Sequence, residues 1–89
     1  MRAGKGAGHL KIYRPDGRCN VSGLKVKAAR ESAGLSQEQL AAKLQLGGLN
    51  ITQKAVSRIE TGDRIVADYE LDHLARALDV TVYHLIGLE

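Results

Sequence analysis

The chain has 89 residues, enough for one small domain and no more. A single cysteine, Cys19, excludes an internal disulfide and a cysteine-rich zinc cluster. No apolar run approaches the roughly 20 residues of a membrane-spanning helix, and no apolar segment follows the basic N-terminus as in a secretion signal. We therefore expect a cytoplasmic protein whose core is built from Leu, Val, Ile and Ala, because aromatic residues are scarce.

Charge is distributed unevenly along the sequence. Residues 1–30 carry a net charge of +7, whereas residues 31–89 carry −4. A basic face or arm beside an acidic body is typical of proteins that bind a polyanion. A solvated basic tail explains the same charge equally well, so charge alone leaves both interpretations open.

Residues 1–21 are predicted to form a basic N-terminal arm, and residues 22–89 a separate helical domain. Residues 1–8 are rich in glycine and lack periodicity, which is typical of a flexible segment. Apolar and polar residues alternate over residues 9–21, around a Pro-Asp-Gly turn at residues 15–17. This alternation is compatible with a short hairpin.

From residue 22 onward, the spacing of apolar residues predicts five short helices. Candidate N-cap residues are Ser22, Ser36, Thr52 and Thr81. Gln39 lies three residues after Ser36, the spacing of a capping box. Helix four is predicted from about Asp68 to Leu78. Glycines that can end helices are Gly34, Gly47, Gly48, Gly62 and Gly87.

The second and third predicted helices resemble a known family. Helix two begins Ser-Gln-Glu-Gln-Leu-Ala at residues 36–41, and helix three reads Thr-Gln-Lys-Ala-Val-Ser-Arg-Ile-Glu at residues 52–60. With the flanking sequences, they resemble the phage repressor and Cro family of helix-turn-helix proteins, also called lambda-repressor-like or XRE. The resemblance covers residues 24–87. It implies an all-α, five-helix fold that binds double-stranded DNA.

Helix three has the residue pattern that a helix in the major groove requires. Val56 and Ile59 take the inner positions, and polar side chains at helical spacing face outward. The outward residues are Gln53, Lys54, Ser57 and Arg58. The resemblance implies base reading by Gln53, Lys54 and Arg58, while Ser57 is expected at a base edge or a phosphate. A solvated helix face without a DNA role is the alternative.

Other residues are predicted to contact the DNA backbone. Gln37 lies at the N-terminus of helix two, where free amides favour a phosphate, although plain capping support is the alternative. Further predicted phosphate contacts are Thr61, Arg64, Lys25 and Lys27. Asp63 departs from the basic residue common at its position in the family. Basic arm residues expected at phosphates or in the minor groove are Arg2, Lys5, Lys11, Arg14 and Arg18.

Arg30 and Glu60 occupy apolar-facing positions, which is costly for charges unless they pair. The resemblance implies a partly buried ion pair between them that joins helix one to the end of helix three. We expect this pair to be structural.

The connection between helices two and three is longer than the usual turn of this motif. Seven residues, Gln45 to Ile51, separate Leu44 from Thr52. Because Leu46, Leu49 and Ile51 are apolar, we expect an extended helix two and a packed connection.

The leading functional hypothesis is a sequence-specific transcriptional regulator, in particular a repressor, that binds DNA as a homodimer. The alternatives are the DNA-binding antitoxin of a toxin pair and a helical protein-interaction module that does not read DNA. We predict no enzymatic activity, cofactor, metal or membrane partner. Tyr83, Leu85 and Ile86 are candidates for a dimer contact, although core packing explains them equally well. The sequence identifies no effector.

Overall fold

The computed structural model describes residues 17–88, and these residues form five α-helices and no strand. The elements are α1 (Gly23–Ser32), α2 (Gln37–Leu46), α3 (Gln53–Thr61), α4 (Asp68–Leu78) and α5 (Val82–Leu85). The predicted all-α, five-helix fold is therefore confirmed. No helix in the described range is long and apolar enough to cross a membrane.

All five helices contribute to one aliphatic core. Its fully buried side chains are Val26, Leu40, Leu44, Val56, Ile59, Leu74 and Leu85. Both inner residues of α3 belong to this set, with no exposed surface on Val56 or Ile59. Helix α3 packs between α1 and α2, while α4 packs against α1, α2 and α5. The core thus fixes which face of α3 is turned outward.

Three of the predicted N-caps form as expected. The Ser36 hydroxyl accepts the Gln39 amide at 3.0 Å, and the Gln39 side chain accepts the Ser36 amide at 2.8 Å, which completes the capping box. The hydroxyl of Thr52 caps α3 by accepting the Ala55 amide at 3.1 Å. Thr81 caps α5 in the same way. Local side-chain chemistry therefore sets the start of these helices.

The prediction that the Ser22 side chain caps α1 is wrong. Ser22 lies at the N-cap position, but its backbone is already helical and its buried side chain makes no capping hydrogen bond. The acceptor is Asn20 instead, whose Oδ1 receives the Gly23 amide at 2.7 Å. The cap thus comes from two residues further upstream, within the segment we assigned to the arm.

The long connection between α2 and α3 is packed for part of its length. Helix α2 runs to Leu46, two residues past Leu44, and Gly48 follows with a left-handed φ of +102°. Leu49 and Ile51 are buried, as expected. Leu46 is not, because 90% of its surface is exposed at the end of the helix. The connection therefore packs against the core through Leu49 and Ile51, while Leu46 is exposed to solvent.

The predicted hairpin over residues 9–21 falls mostly outside the described residues. Its described part, residues 17–21, forms no strand. Instead, the backbone amide of Cys19 donates to the Gly62 carbonyl at 2.7 Å, so this segment lies against the C-terminal end of α3. The helical unit accordingly includes residues upstream of the predicted boundary at residue 22.

Candidate nucleic-acid interface

The outward face of α3 carries the polar residues that the sequence predicts. Gln53, Lys54 and Arg58 are exposed, and Ser57 is half-buried between them. Thr61 continues this face at the end of the helix and is also exposed. The opposite face of α3 packs into the core, so these side chains project into solvent from a helix whose orientation the core fixes.

The two cations of this face have no partner within the described part of the chain. Neither the Lys54 ammonium nor the Arg58 guanidinium makes a hydrogen bond or ion pair with residues 17–88. They lie along a shallow groove together with Arg64. The groove is lined by Thr52, Lys54, Ala55, Arg58, Asp63 and Arg64. Arg64 is paired with Glu70, so Lys54 and Arg58 give this groove its positive balance, which favours an anionic ligand.

Gln53 and Gln37 connect the first turns of α3 and α2. The Gln53 side-chain amide donates to Oε1 of Gln37 at 3.0 Å, and the Gln37 amide donates to Oε1 of Glu60, also at 3.0 Å. This chain orients Gln53 on the exposed face. The phosphate contact predicted for Gln37 stays a prediction, since its side chain is half-buried and already bonded at both ends.

Arg30 and Glu60 form the ion pair that the resemblance implies. Nε of Arg30 lies 2.6 Å from Oε2 of Glu60, and Nη2 lies 3.0 Å from Oε1. Nη1 of Arg30 also donates to the Leu35 carbonyl at 2.8 Å. Hydrogen bonding to Glu60 raises the pKa of the Arg30 guanidinium, against the opposing effect of its burial. With side chains only 11% and 2% exposed, the pair joins α1 to α3 inside the fold.

The residues that follow α3 are held by contacts that sequence reasoning missed. Arg64 donates twice to the Glu70 carboxylate, at 2.8 and 2.9 Å, and Glu70 also accepts the Ala67 amide at 3.0 Å. Hydrogen bonding from Arg64 lowers the pKa of Glu70 despite its burial. The phosphate contact of Arg64 remains a prediction. In this structure, the Arg64 guanidinium links the segment after α3 to Glu70 in α4.

Thr61 has hydrogen-bond partners of its own. Its hydroxyl lies 3.3 Å from the Arg58 carbonyl and 3.0 Å from Oδ2 of Asp63. Asp63, which departs from the family pattern, thus helps to order the turn after α3. A phosphate contact of Thr61 stays a prediction.

Arg18, which we placed among the DNA-contacting arm residues, folds back onto α3. Nη2 donates to the Glu60 carbonyl at 2.7 Å, and Nη1 donates to the Thr61 carbonyl at 3.1 Å. Both carbonyls belong to the last turn of the helix, where acceptors lack partners within the helix. The other basic arm residues, at positions 2, 5, 11 and 14, lie outside the described residues. Arg18 therefore makes intramolecular contacts with α3, whereas we expected it to contact DNA as part of the arm.

Lys25 and Lys27 lie in the first turns of α1. Lys27 is exposed and Lys25 is half-buried. The N-terminus of α1 touches the end of α3, since a Cβ built on Gly23 would lie 2.1 Å from the Ile59 carbonyl oxygen. Phosphate contacts of these two lysines remain predictions, and this close approach puts their helix beside the end of α3.

Helix α3 has a buried apolar inner face and an exposed cationic outer face, and a connecting segment joins it to the preceding helix α2. Together these features define a helix-turn-helix domain. A family model described as Helix-turn-helix matches residues 26–85. The chain belongs to this family, in its XRE or lambda-repressor-like form. This is a family of DNA-binding domains and not of enzymes, so the chain is a DNA-binding regulator of the XRE kind. No curated protein and no solved structure gave a match.

Proposed function

We propose that this protein is a sequence-specific repressor that binds double-stranded DNA as a homodimer and reads bases in the major groove with α3. Gln53, Lys54 and Arg58 are the proposed base readers, with Ser57 at a base edge or a phosphate. Gln suits adenine, because its amide can donate to N7 and accept from the N6 amino group, and Arg or Lys suits guanine, because both can donate to N7 and O6.

The observation that carries this proposal is the unpaired cationic face of α3. Lys54 and Arg58 are exposed and have no partner among residues 17–88, whereas the buried carboxylates of Glu60 and Glu70 are each paired with an arginine. Glu60, the acidic residue within α3, is turned inward and buried. A surface composed in this way fits the acceptors of the groove and the phosphates beside it.

Backbone contacts are proposed on both sides of the reading helix. Gln37 lies at the start of α2, where helix amides attract a phosphate. Thr61 and Arg64 follow α3, and Lys25 and Lys27 lie on the neighbouring α1. These groups supply affinity and register but no sequence information.

Binding as a homodimer is proposed from the geometry that such domains need on DNA. Two-fold sites place half-sites about 10 base pairs apart on one face of the duplex. Exposed apolar side chains near the C-terminus, among them Tyr83 at 63%, are available for a contact between copies. Leu85 is fully buried in the core and is not.

The protein-interaction alternative predicts an apolar or acidic outer face on α3. The outer face is instead polar and cationic, which favours DNA. The antitoxin alternative shares DNA binding with the leading proposal and differs in having a toxin partner. No observation on residues 17–88 favours such a partner.

The test is selection from a random-sequence duplex library at near-physiological salt, followed by sequencing of the retained DNA. The native chain is compared with Gln53→Ala and Arg58→Ala. Arg76→Ala is the matched control, because Arg76 is an exposed arginine on α4 whose partner, Asp72, is also exposed. We expect a two-fold motif for the native chain and for the control. Each α3 variant loses about 1–3 kcal/mol of discrimination at particular positions.

Two results would contradict the proposal in different ways. Retention without any enriched motif, equal in all variants, would leave a DNA binder that works through charge alone. No retention at all would exclude DNA as the ligand and direct the search to a protein partner.

A further inference from the structure

The C-terminal end of α3 is covered by side chains and backbone from the segment before α1. Arg18 donates to the carbonyls of Glu60 and Thr61, and the Cys19 amide donates to the Gly62 carbonyl. Asn20 donates through Nδ2 to the Ile59 carbonyl at 3.0 Å and to the Arg64 carbonyl at 2.7 Å. The last carbonyls of a helix have no backbone N–H donor within that helix. Where they are buried, they need a donor from elsewhere in the chain. We call Arg18, Cys19 and Asn20 the C-terminal clamp.

Asn20 shows that the clamp is built into the fold. It is only 9% exposed, and both polar atoms of its side chain are bonded. Oδ1 accepts the Gly23 amide, while Nδ2 donates to the Ile59 carbonyl in α3 and to the Arg64 carbonyl after it. One residue thus links the start of α1 to the end of α3. A buried amide side chain that uses both of its donors and its acceptor defines a single geometry for the two helix ends.

Two glycines allow the clamp to approach so closely. A Cβ on Gly23 would lie 2.1 Å from the Ile59 carbonyl oxygen, and a Cβ on Gly62 would lie 2.7 Å from Cζ of Arg18. Real Cβ atoms do not come so near to other atoms, so any side chain at either position displaces the clamp. The Arg18 guanidinium also brings positive charge to the negative end of the helix dipole, which favours it there.

We propose that Arg18 and Asn20 are specificity-determining positioning residues, which set the rotation and tilt of α3 and so aim its base readers. This inference rests on the proposed function, because it concerns base reading by α3. Neither residue needs to touch a base. Displacing a reading side chain by about 1 Å breaks bidentate hydrogen bonds to a base, while attraction to phosphates survives such a shift. Loss of the clamp therefore lowers discrimination between DNA sequences more than it lowers general DNA affinity.

The test uses the full chain with Arg18→Lys, which keeps the net charge but loses the planar fork that reaches two carbonyls. Arg76→Lys is the matched control, the same change at an exposed arginine of α4. Dissociation constants are measured on the selected duplex and on an unrelated duplex at one salt concentration. We express discrimination as the dissociation constant for the unrelated duplex divided by that for the selected duplex. For Arg18→Lys, this ratio is expected to fall about tenfold, while the dissociation constant for the unrelated duplex changes by no more than about twofold. The control leaves the ratio unchanged.

Hydrogen exchange of the DNA-free chain gives a second readout. The Gly62 and Asp63 amides bond to carbonyls of the last turn of α3, and they should exchange faster in Arg18→Lys while the amides of α4 do not. Asn20→Asp is a second variant that keeps the acceptor for Gly23 and loses the donor to Ile59 and Arg64. It is expected to lower the same ratio and to speed the same amides.

The outcomes separate the clamp from the proposed function. If Arg18→Lys weakens binding to both duplexes equally, Arg18 is a phosphate contact and the clamp role is wrong. An unchanged ratio with unchanged exchange also overturns it. If the native chain selects no motif, base reading by α3 fails, and the aiming role of Arg18 and Asn20 falls with it. Faster exchange in that case still reports the clamp as a purely structural contact.

Discussion

The two ends of α3 are held in different ways. At the N-terminal end, the Thr52 hydroxyl caps the helix and Gln53 donates to Gln37, and both hydrogen bonds are exposed to solvent. At the C-terminal end, the clamp covers the last carbonyls and the Glu60 carboxylate is buried against Arg30. One end is anchored within the fold, and the other is open.

This difference separates positioning from recognition. Two of the proposed base readers, Gln53 and Lys54, lie at the open end, while Arg58 lies on the exposed face of the last turn. The buried anchoring contacts of Glu60 and Ile59 lie on the opposite face of the helix. A recognition helix must be held firmly by groups that do not themselves meet the DNA, because the reading groups have to exchange water for bases. Substitutions at the two ends of α3 test this separation.

Glu60→Ala is expected to have the largest effect. The variant leaves the Arg30 guanidinium, 11% exposed, without its carboxylate, and breaking one partner out of a buried pair costs about 3–5 kcal/mol. The free energy of unfolding from denaturant titration measures this. Glu31→Ala is the matched control, since Glu31 is 59% exposed at 3.9 Å from Arg30, and it should cost about 1 kcal/mol or less. Equal losses in the two variants would contradict an anchored C-terminal end.

Gly62→Ala should cost more than Gly34→Ala. Both glycines have left-handed φ angles, +86° and +73°, so both variants pay about 1–2 kcal/mol for a backbone that alanine disfavours. Only the Cβ at position 62 would collide with Arg18, because nothing lies within 4 Å of a Cβ on Gly34. Thermal or denaturant unfolding measures the difference.

A double variant separates the collision from the backbone strain. In an Arg18→Ala background, where the colliding side chain is gone, Gly62→Ala should cost no more than Gly34→Ala costs in the same background. An excess that persists would mean that Arg18 does not hold the end of α3.

Thr52→Ala tests the open end and should cost about 1 kcal/mol, the usual effect of losing an N-cap. Ser32→Ala is the control, an exposed hydroxyl at the end of α1 without a hydrogen bond to the described residues. Denaturant unfolding gives the cost, and amide exchange should rise in the first turn of α3 alone. A loss as large as that of Glu60→Ala would show that the two ends are equally anchored.

The smallest expected effect is a pH dependence from Glu70, which anchors the segment after α3. Hydrogen bonding from Arg64 holds the pKa of Glu70 below its ordinary value of 4.5. A carboxylate with a lowered folded pKa stabilises the fold fully above its unfolded pKa, and this contribution is lost as the pH falls through the folded pKa. Stability should therefore fall less steeply in acid for Glu70→Gln. Denaturant titrations at several acidic pH values measure this slope, and equal slopes for the native chain and for Glu70→Gln would contradict the contribution of Glu70.

The parts of the fold that local chemistry determines could be predicted from the sequence. The caps at Ser36, Thr52 and Thr81 could be predicted because each hydroxyl lies three residues before the amide that it accepts, so the pattern is visible in a short stretch of sequence. The Arg30–Glu60 contact came from the family resemblance, since 30 residues separate its partners. The all-α architecture followed from apolar spacing.

The contacts that were missed lie between segments without a shared periodicity. Arg18 reaches carbonyls 42 and 43 residues away, and backbone acceptors leave no mark on the sequence. Arg64 and Glu70 are six residues apart across a turn, outside the spacing of helical pairs. Leu46 was expected to pack because it is apolar, but the helix end turns it into solvent. Ser22 lost its capping role because Asn20 was better placed.

The most direct test of base reading by α3 is the affinity of the native chain and of Arg58→Ala for the selected duplex and each of its single-base variants. We expect Arg58→Ala to lose discrimination at one base pair in each half-site and to keep it at the others. An equal loss of affinity for every duplex, with the pattern of discrimination intact, would contradict base reading by Arg58 and reduce its role to attraction for phosphate.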